Sequence, residues 1–421
     1  MSSEKALSFL KKYGMDPDRV QPAEMAPEMM REMERGLNGQ GGSLAMIPTY
    51  LSDHGTLPLH HPVAVIDAGG TNFRRALVWF DESGFHEEEV KKWKMPGIER
   101  PVSWEEFVRF TADAVEPLMD RTDRIGFCFS YSATITPEMD GQVLRIDKEV
   151  VIEGCEGQLV GASLLKELEA RGISGKKIAI LNDTVAVLLG GLSQLGESGV
   201  NVIGQVSGTG TNTCCALPER RIGKLGSDRD RRMIVNLESG MYDGFQGGEF
   251  DRILDETSHN PGQKHFEKLT AGVYLGELCH LMLNRASEEG LLCDQSVEKV
   301  KKLGHIDSAV IDAWSVGERL EEIAGSTEDR EFVQTLCCAV FDRSARLMCL
   351  NLGAIALLCE DPYSIVCAEG SLVQKGRYYQ AALFRLIEQE ICGKLGKNVR
   401  LRIGDESTIS GSAAAALLNL K

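Results

Sequence analysis

The chain has 421 residues, long for one compact domain and comfortable for two, with an ordinary globular composition of 43% hydrophobic and 26% charged residues. A net charge of −16 repels a phosphodiester backbone on average and argues against nucleic acid as a partner, since no local basic patch stands out. No apolar run reaches the length of a membrane span, and Met1-Ser2-Ser3-Glu4-Lys5 lacks the basic start of a secretory signal, so a cytoplasmic protein away from membranes is expected.

In chain order, Met25, Met29 and Met33 recur at helical spacing and predict a helix with a core-packing methionine stripe. Residues 36–43 (GLNGQGGS) read as a flexible connection and not a phosphate loop, because no strand precedes them. Val63-Ala64-Val65-Ile66-Asp67 reads as a strand, Ala68-Gly69-Gly70-Thr71-Asn72 as its turn, and 75–80 as the return strand. Further strands are predicted at 124–129, 177–181, 200–206, 233–237 and 364–368. Helices are predicted at 163–170, 183–192, 263–282, 331–359 and 378–391. Strands alternating with helices imply an α/β protein. The twelve cysteines include no C-x-x-C pair. Four lie in vicinal pairs, Cys214-Cys215 and Cys337-Cys338, inside apolar stretches, and reduced buried thiols are the expectation. No histidine stands at metal-ligand spacing from them, so structural zinc is not expected.

Two Gly/Thr turns carry the first chemical signal. The tip Asp67-Ala68-Gly69-Gly70-Thr71-Asn72 is echoed by Ser207-Gly208-Thr209-Gly210-Thr211-Asn212, each between β-rich runs, which suggests two similar lobes offering a turn each to one ligand. Glycines admit an anion close to backbone N–H groups, and Thr and Asn add neutral donors. The chain has neither a G-x-x-x-x-G-K-[ST] loop nor a strand–G-x-G-x-x-G–helix unit. A carboxylate such as Asp67 beside phosphates requires a cation between them, and Mg²⁺ held directly or through water fits. Taken singly, a Gly-Gly-Thr-Asn tip closes many hairpins and Asp often starts a turn. Asn182-Asp183-Thr184 follows the apolar strand 177–181 and precedes a helix. Such residues are ordinary N-caps, but Asp183 also stands at the carboxyl end of a strand, where it could accept a hydroxyl proton.

Together, 44–52 (LAMIPTYLS), 67–74 (DAGGTNFR), 182–184 (NDT), 208–212 (GTGTN), 236–240 (NLESG) and 266–277 (FEKLTAGVYLGE) fall in the order found in hexokinases, and the chain resembles that family over about 35–415. The resemblance implies an α/β, two-lobed actin-like (ribonuclease H-like) ATPase fold with a central cleft where a hexose meets Mg-ATP. A helical segment 1–60 would pack with the large lobe 199–409, and the small lobe 61–198 would be closed by a C-terminal helix at 410–421. It places ATP on Asp67, Gly69, Gly70, Thr71, Asn72, Arg74, Gly208, Thr209, Gly210, Gly370 and Ser371, with Mg²⁺ at Asp67. It places the sugar on Ser130, Lys148, Asn182, Asp183, Asn212, Glu238 and Glu267, with Asp183 as the base. The inventory suits a ring of vicinal hydroxyls, because carboxylates accept paired donors and Asn and Lys serve the lone pairs.

Several positions depart from the family pattern. Asp147 precedes Lys148 where the family has Thr, and Ser130-Tyr131-Ser132 stands where the family has Ser-Phe-Pro. Glu369 replaces an Asp, and Thr408-Ile409-Ser410-Gly411-Ser412 replaces a Gly-Ser-Gly-Lys-Gly segment. Oligomeric state and the preferred hexose stay open. A sugar sensor without turnover, a kinase for another sugar such as a hexosamine or fructose, and an actin- or Hsp70-like ATPase are the alternative functions.

Overall fold

The computed structural model describes residues 2–146, 150–195, 200–405 and 407–420. One sheet orders its strands Gly84–Lys94, Asn72–Asp81, Val63–Gly69, Arg124–Phe129 and Lys177–Leu181. A second orders Arg232–Asn236, Thr211–Pro218, Asn201–Ser207, Tyr363–Glu369 and Asn398–Ile403, with the short strand Ile47–Pro48 added at its outer edge. In both, the first three strands are antiparallel neighbours and the last two join in parallel. Numbered by chain order with Ile47–Pro48 left aside, both read 3-2-1-4-5. The duplication suggested by the two Gly/Thr turns therefore extends to whole sheets.

Three apolar cores follow. The first sheet is covered on both faces, so Val63 and Val65 enter one core while Ala64 and Ile66 enter another. Its outer face packs on the helices Trp104–Val115 and Val160–Ala170. The long helix Thr327–Cys359 lies under the second sheet, joined by the N-terminal helices Ser2–Lys12 and Pro22–Leu37. Met29 and Met33 are fully buried there with Met25 at the margin, as their spacing predicts.

The third core lies between the sheets, where the helix Asp183–Leu195 packs along the C-terminal helix Ser407–Asn419. Small residues let the backbones touch: a Cβ on Gly411 would collide with the Ala186 carbonyl, and one on Gly126 with that of Ser412. The departing segment Thr408–Ser412 is thus helical, with Ile409, Ser410 and Ser412 almost wholly enclosed. Gly411→Val should destabilise the fold by about 3 kcal/mol through overpacking, visible as a lowered Tm. An unchanged Tm would mean that these helices do not meet as described.

The expected helix 263–282 is broken at Ala271 into His265–Thr270 and Gly272–Glu288. The break lets the Gly272 N–H donate to the Gly208 carbonyl at 2.8 Å, which ties it to the second Gly/Thr turn. The expected helix 378–391 runs as Arg377–Leu386 and continues as a π-helix over Ile387–Lys394. Among the strands that the sequence reading did not predict, Gly84–Lys94 and Asn398–Ile403 carry Glu, Lys and Arg rows that look like solvated loops; both are edge strands, where charge is tolerated and useful.

The cysteines are free thiols, and Cys293 is the exposed one. Burial pushes Cys214 and Cys337 well above the ordinary thiol range. Dithiothreitol should therefore leave activity and non-reducing gel mobility unchanged, and a loss of activity would contradict a structural role for these thiols. Among the described residues no helix is long and apolar enough to cross a membrane.

Candidate active site

The first Gly/Thr turn is the tip between Val63–Gly69 and Asn72–Asp81, with Thr71 and Asn72 exposed. The segment after the neighbouring strand braces it. The Ser130 N–H donates to the Ala68 carbonyl at 3.1 Å, and the Tyr131 hydroxyl donates to the Gly70 carbonyl at 2.9 Å. Asp67 Oδ1 and Ser130 Oγ each lie 3.3 Å from the point where a Cβ on Gly69 would stand, so these side chains share one small space. Burial, together with the Asp67 charge, raises the Tyr131 hydroxyl above its ordinary value. Arg74 Nη2 donates to Glu87 Oε1 and Oε2 at 3.2 and 3.0 Å across the hairpin.

The second turn is closed by the Gly208 N–H donating to the Gly210 carbonyl at 3.0 Å, with Thr209 exposed at its tip. Gly370 and Ser371, at the end of Tyr363–Glu369, sit directly behind it. Gly370 has φ 114° and its absent Cβ would strike the Ser207 carbonyl, so both backbone angle and space demand glycine. Gly208, Gly370 and Ser371 thus pack backbone against backbone, a Cβ on Gly208 meeting the Ser371 N at 3.1 Å and the Gly370 Cα at 3.3 Å.

Asn182 and Asp183 stand between the end of Lys177–Leu181 and the first turn of Asp183–Leu195. The Thr184 N–H donates to Asn182 Oδ1 at 3.0 Å and Asp183 Oδ1 at 2.7 Å. Capping and catalysis are therefore compatible here, because Asp183 is half-buried and keeps a second carboxylate oxygen. The helix N-terminus favours its charge.

Across the cleft, the second sheet supplies a chain of amides. Asn212 Nδ2 donates to Asn236 Oδ1 at 2.8 Å, and Asn236 Nδ2 donates to Glu238 Oε1 at 2.7 Å. Asn212 Oδ1 in turn accepts from the N–H groups of Thr213 and Ser239. Glu238 has φ 56°, a left-handed conformation that costs a non-glycine residue free energy and that its surroundings must enforce. Glu267 Oε2 accepts from the Thr211 N–H at 3.2 Å and lies 2.9 Å from the point where a Cβ on Gly210 would stand. Any side chain at 210 would displace that carboxylate. The cleft wall joins Phe129, Tyr131 and Asn182 from the first unit to Thr49, Asn236 and Glu238 from the second.

Burial raises the Glu238 carboxyl above the ordinary carboxylate value and the Asn236 hydrogen bond draws it down. The Asp183 and Glu267 charges raise it and Lys264 opposes them. Glu238 thereby feels the charge of Asp183 from the first unit together with those of Glu267 and Lys264 from its own. Expected sugar residues Ser130, Asn182, Asp183, Asn212, Glu238 and Glu267 all fall in this region, while Lys148 lies outside the described residues. Asn236, Tyr131 and Lys264 were missed. Asn236 sits within a quoted motif at the end of an apolar strand, a signal that was available; Tyr131 and Lys264 needed their partners to be seen.

Among the described residues no group of three or more His, Cys, Asp or Glu could hold a metal. Mg²⁺ bound with nucleotide phosphates needs only one or two carboxylates and keeps waters, which the single carboxylate Asp67 at the first turn fits.

A family model described as hexokinase matches residues 202–418, and a second hexokinase model matches 6–192. Hexokinase-1 of Schizosaccharomyces pombe is 27% identical over 93% of this chain and 86% of its own length. Hexokinase-1 of Saccharomyces cerevisiae is 29% identical over 82% of this chain and 77% of its own. A solved hexokinase of Schistosoma mansoni complexed with glucose superposes with a TM-score of 0.77 at 21% identity, covering 99% of this chain and 98% of that one. The two-sheet architecture is thus the two-lobed actin-like fold.

Proposed function

The chain belongs to the hexokinase family, and on that premise we propose that it transfers the γ-phosphoryl group of Mg-ATP to a hydroxyl of a free hexose, with Asp183 as the base. One observation carries this reading: Asn182 from one sheet and Asn236 and Glu238 from the other line one cleft, and the charges of Asp183 and Glu267 act on Glu238 there.

Glu238, Glu267, Asn182 and Asn212 hold the sugar hydroxyls, each carboxylate accepting from adjacent O–H groups while the amides serve their lone pairs. Asp183 accepts the proton of the attacking hydroxyl, the primary one in a 6-phosphorylation, as oxygen–phosphorus bonding develops. The backbone N–H groups of the turn at Gly69–Asn72 and those of Thr209 and Gly210 serve the phosphates, and Gly370 and Ser371 admit the adenosine end. When bound at Asp67, Mg²⁺ supplies charge neutralisation on the β- and γ-phosphates. Residues 61–198 with the C-terminal helix form the proposed small lobe and 199–409 the large one; their closure excludes water, which is small enough to compete for the phosphoryl group.

The test is ADP release with glucose, fructose, mannose, glucosamine and N-acetylglucosamine. The expected result is ADP release that depends on sugar and yields hexose 6-phosphate. Sugar binding without turnover would make the protein a sensor, and ATP hydrolysis indifferent to sugar would make it an ATPase of another kind.

A further inference from the structure

Among the described residues on the sugar side of the cleft, a lysine is already engaged by one of the carboxylates. Lys264 Nζ lies 3.3 Å from Glu267 Oε1, its side chain is 28% exposed, and its charge is felt at Glu238. Lysines without a task normally extend into water. This one does not, and its backbone is held at φ 53°, in the left-handed region. The turn leading to it is pinned: the Gly262 N–H donates to Asp255 Oδ2 at 2.9 Å, and Lys268 Nζ bonds Asp255 Oδ1 at 2.5 Å and the Asn260 carbonyl at 2.8 Å. Lys268 is buried, so the anchor is rigid. Position 264 is therefore fixed beside Glu267, whose other oxygen is tied to the backbone of Thr211.

We propose that Lys264 is a specificity-determining residue of the hexose site, whose fixed positive charge favours neutral hexoses over cationic amino sugars. This rests on the reading of Glu238 and Glu267 as sugar ligands. Asp183, Glu238 and Glu267 bring three carboxylates to one cleft, a field that draws in any ammonium-bearing sugar. Lys264 offsets part of that field and repels a second cation at short range, where Coulomb interactions in a partly desolvated cleft are strong.

Calorimetric titration of glucose and glucosamine into wild type, Lys264→Met, Lys264→Gln and Lys264→Arg tests it without ATP. At about pH 6.5 the sugar amine is protonated. There the glucosamine-to-glucose affinity ratio should rise at least about fivefold in Lys264→Met and Lys264→Gln. It should stay within about twofold of wild type in Lys264→Arg. At about pH 9, where the amine is neutral, the variant and wild-type ratios should converge. A lysine that served only to start the helix His265–Thr270 would weaken both sugars alike, so an unchanged ratio in both neutral variants overturns the assignment. Wild type binding neither sugar would overturn the hexose reading and this inference with it; wild type binding both, with an unchanged ratio in the variants, overturns this inference alone.

Discussion

Asp183→Asn should lower kcat for the hexose by at least about 10²-fold while the affinity for sugar falls far less. Asparagine keeps the Oδ1 that accepts the Thr184 N–H at 2.7 Å, so the start of the helix Asp183–Leu195 is preserved. It also keeps hydrogen-bonding capacity toward a hydroxyl. What it loses is the ability to take a proton at neutral pH. The measurement is steady-state ADP release beside calorimetric sugar binding. Binding held and turnover lost identifies a base, and a variant that keeps most of its kcat would remove Asp183 from that role.

The second large effect concerns closure. Asn182 and Asp183 belong to the proposed small lobe, and Asn212, Glu238 and Glu267 to the large one. A hexose touching both sets links the lobes and binds the closed form better, so it shifts the population toward that form. Adding saturating glucose without ATP should reduce the radius of gyration in solution scattering. Glu238→Ala should abolish that compaction and raise the sugar Kd by about 10²-fold, since it removes a charged acceptor and orphans the Asn236 amide. Glu238→Gln, which keeps a partner for Asn236, should fall between the two. If wild type phosphorylates glucose with no change in scattering, closure precedes binding and water exclusion by induced fit is wrong.

Wild-type sugar affinity should also fall as pH drops. The folded-state carboxyl of Glu238 is raised, so it protonates at a higher pH than an ordinary Glu and loses its acceptor role first. The affinity loss should therefore begin above the usual carboxylate range and should flatten in Glu238→Gln. Equal slopes in wild type and variant would assign the loss to another group.

Much of the site was legible because its residues lie in short local motifs. Asp67–Arg74, Asn182–Thr184 and Gly208–Asn212 each join a strand to a turn, and strand periodicity and glycine placement are local properties. The methionine stripe at 25, 29 and 33 and the apolar runs of the central strands were readable for the same reason. Arg74 shows the limit: its bond to Glu87 joins it to a strand whose charges disguised it, so that pairing left no signal in the chain. The helix predicted across 263–282 shows another, because its break at Ala271 is set by the Gly272–Gly208 hydrogen bond between segments far apart in the chain.

By itself, then, the sequence determined the α/β class, the two Gly/Thr turns and the residue types able to hold a polyhydroxyl ligand. Tertiary structure alone decided that both sheets share one strand order and that the small-residue C-terminal helix packs between them. It also placed Tyr131 on the Gly70 carbonyl and Lys264 on Glu267. These are long-range pairings. Periodicity records which face of an element is apolar, but a hydrogen bond or ion pair between distant segments leaves no spacing in the chain; it exists only once burial has fixed both partners in place.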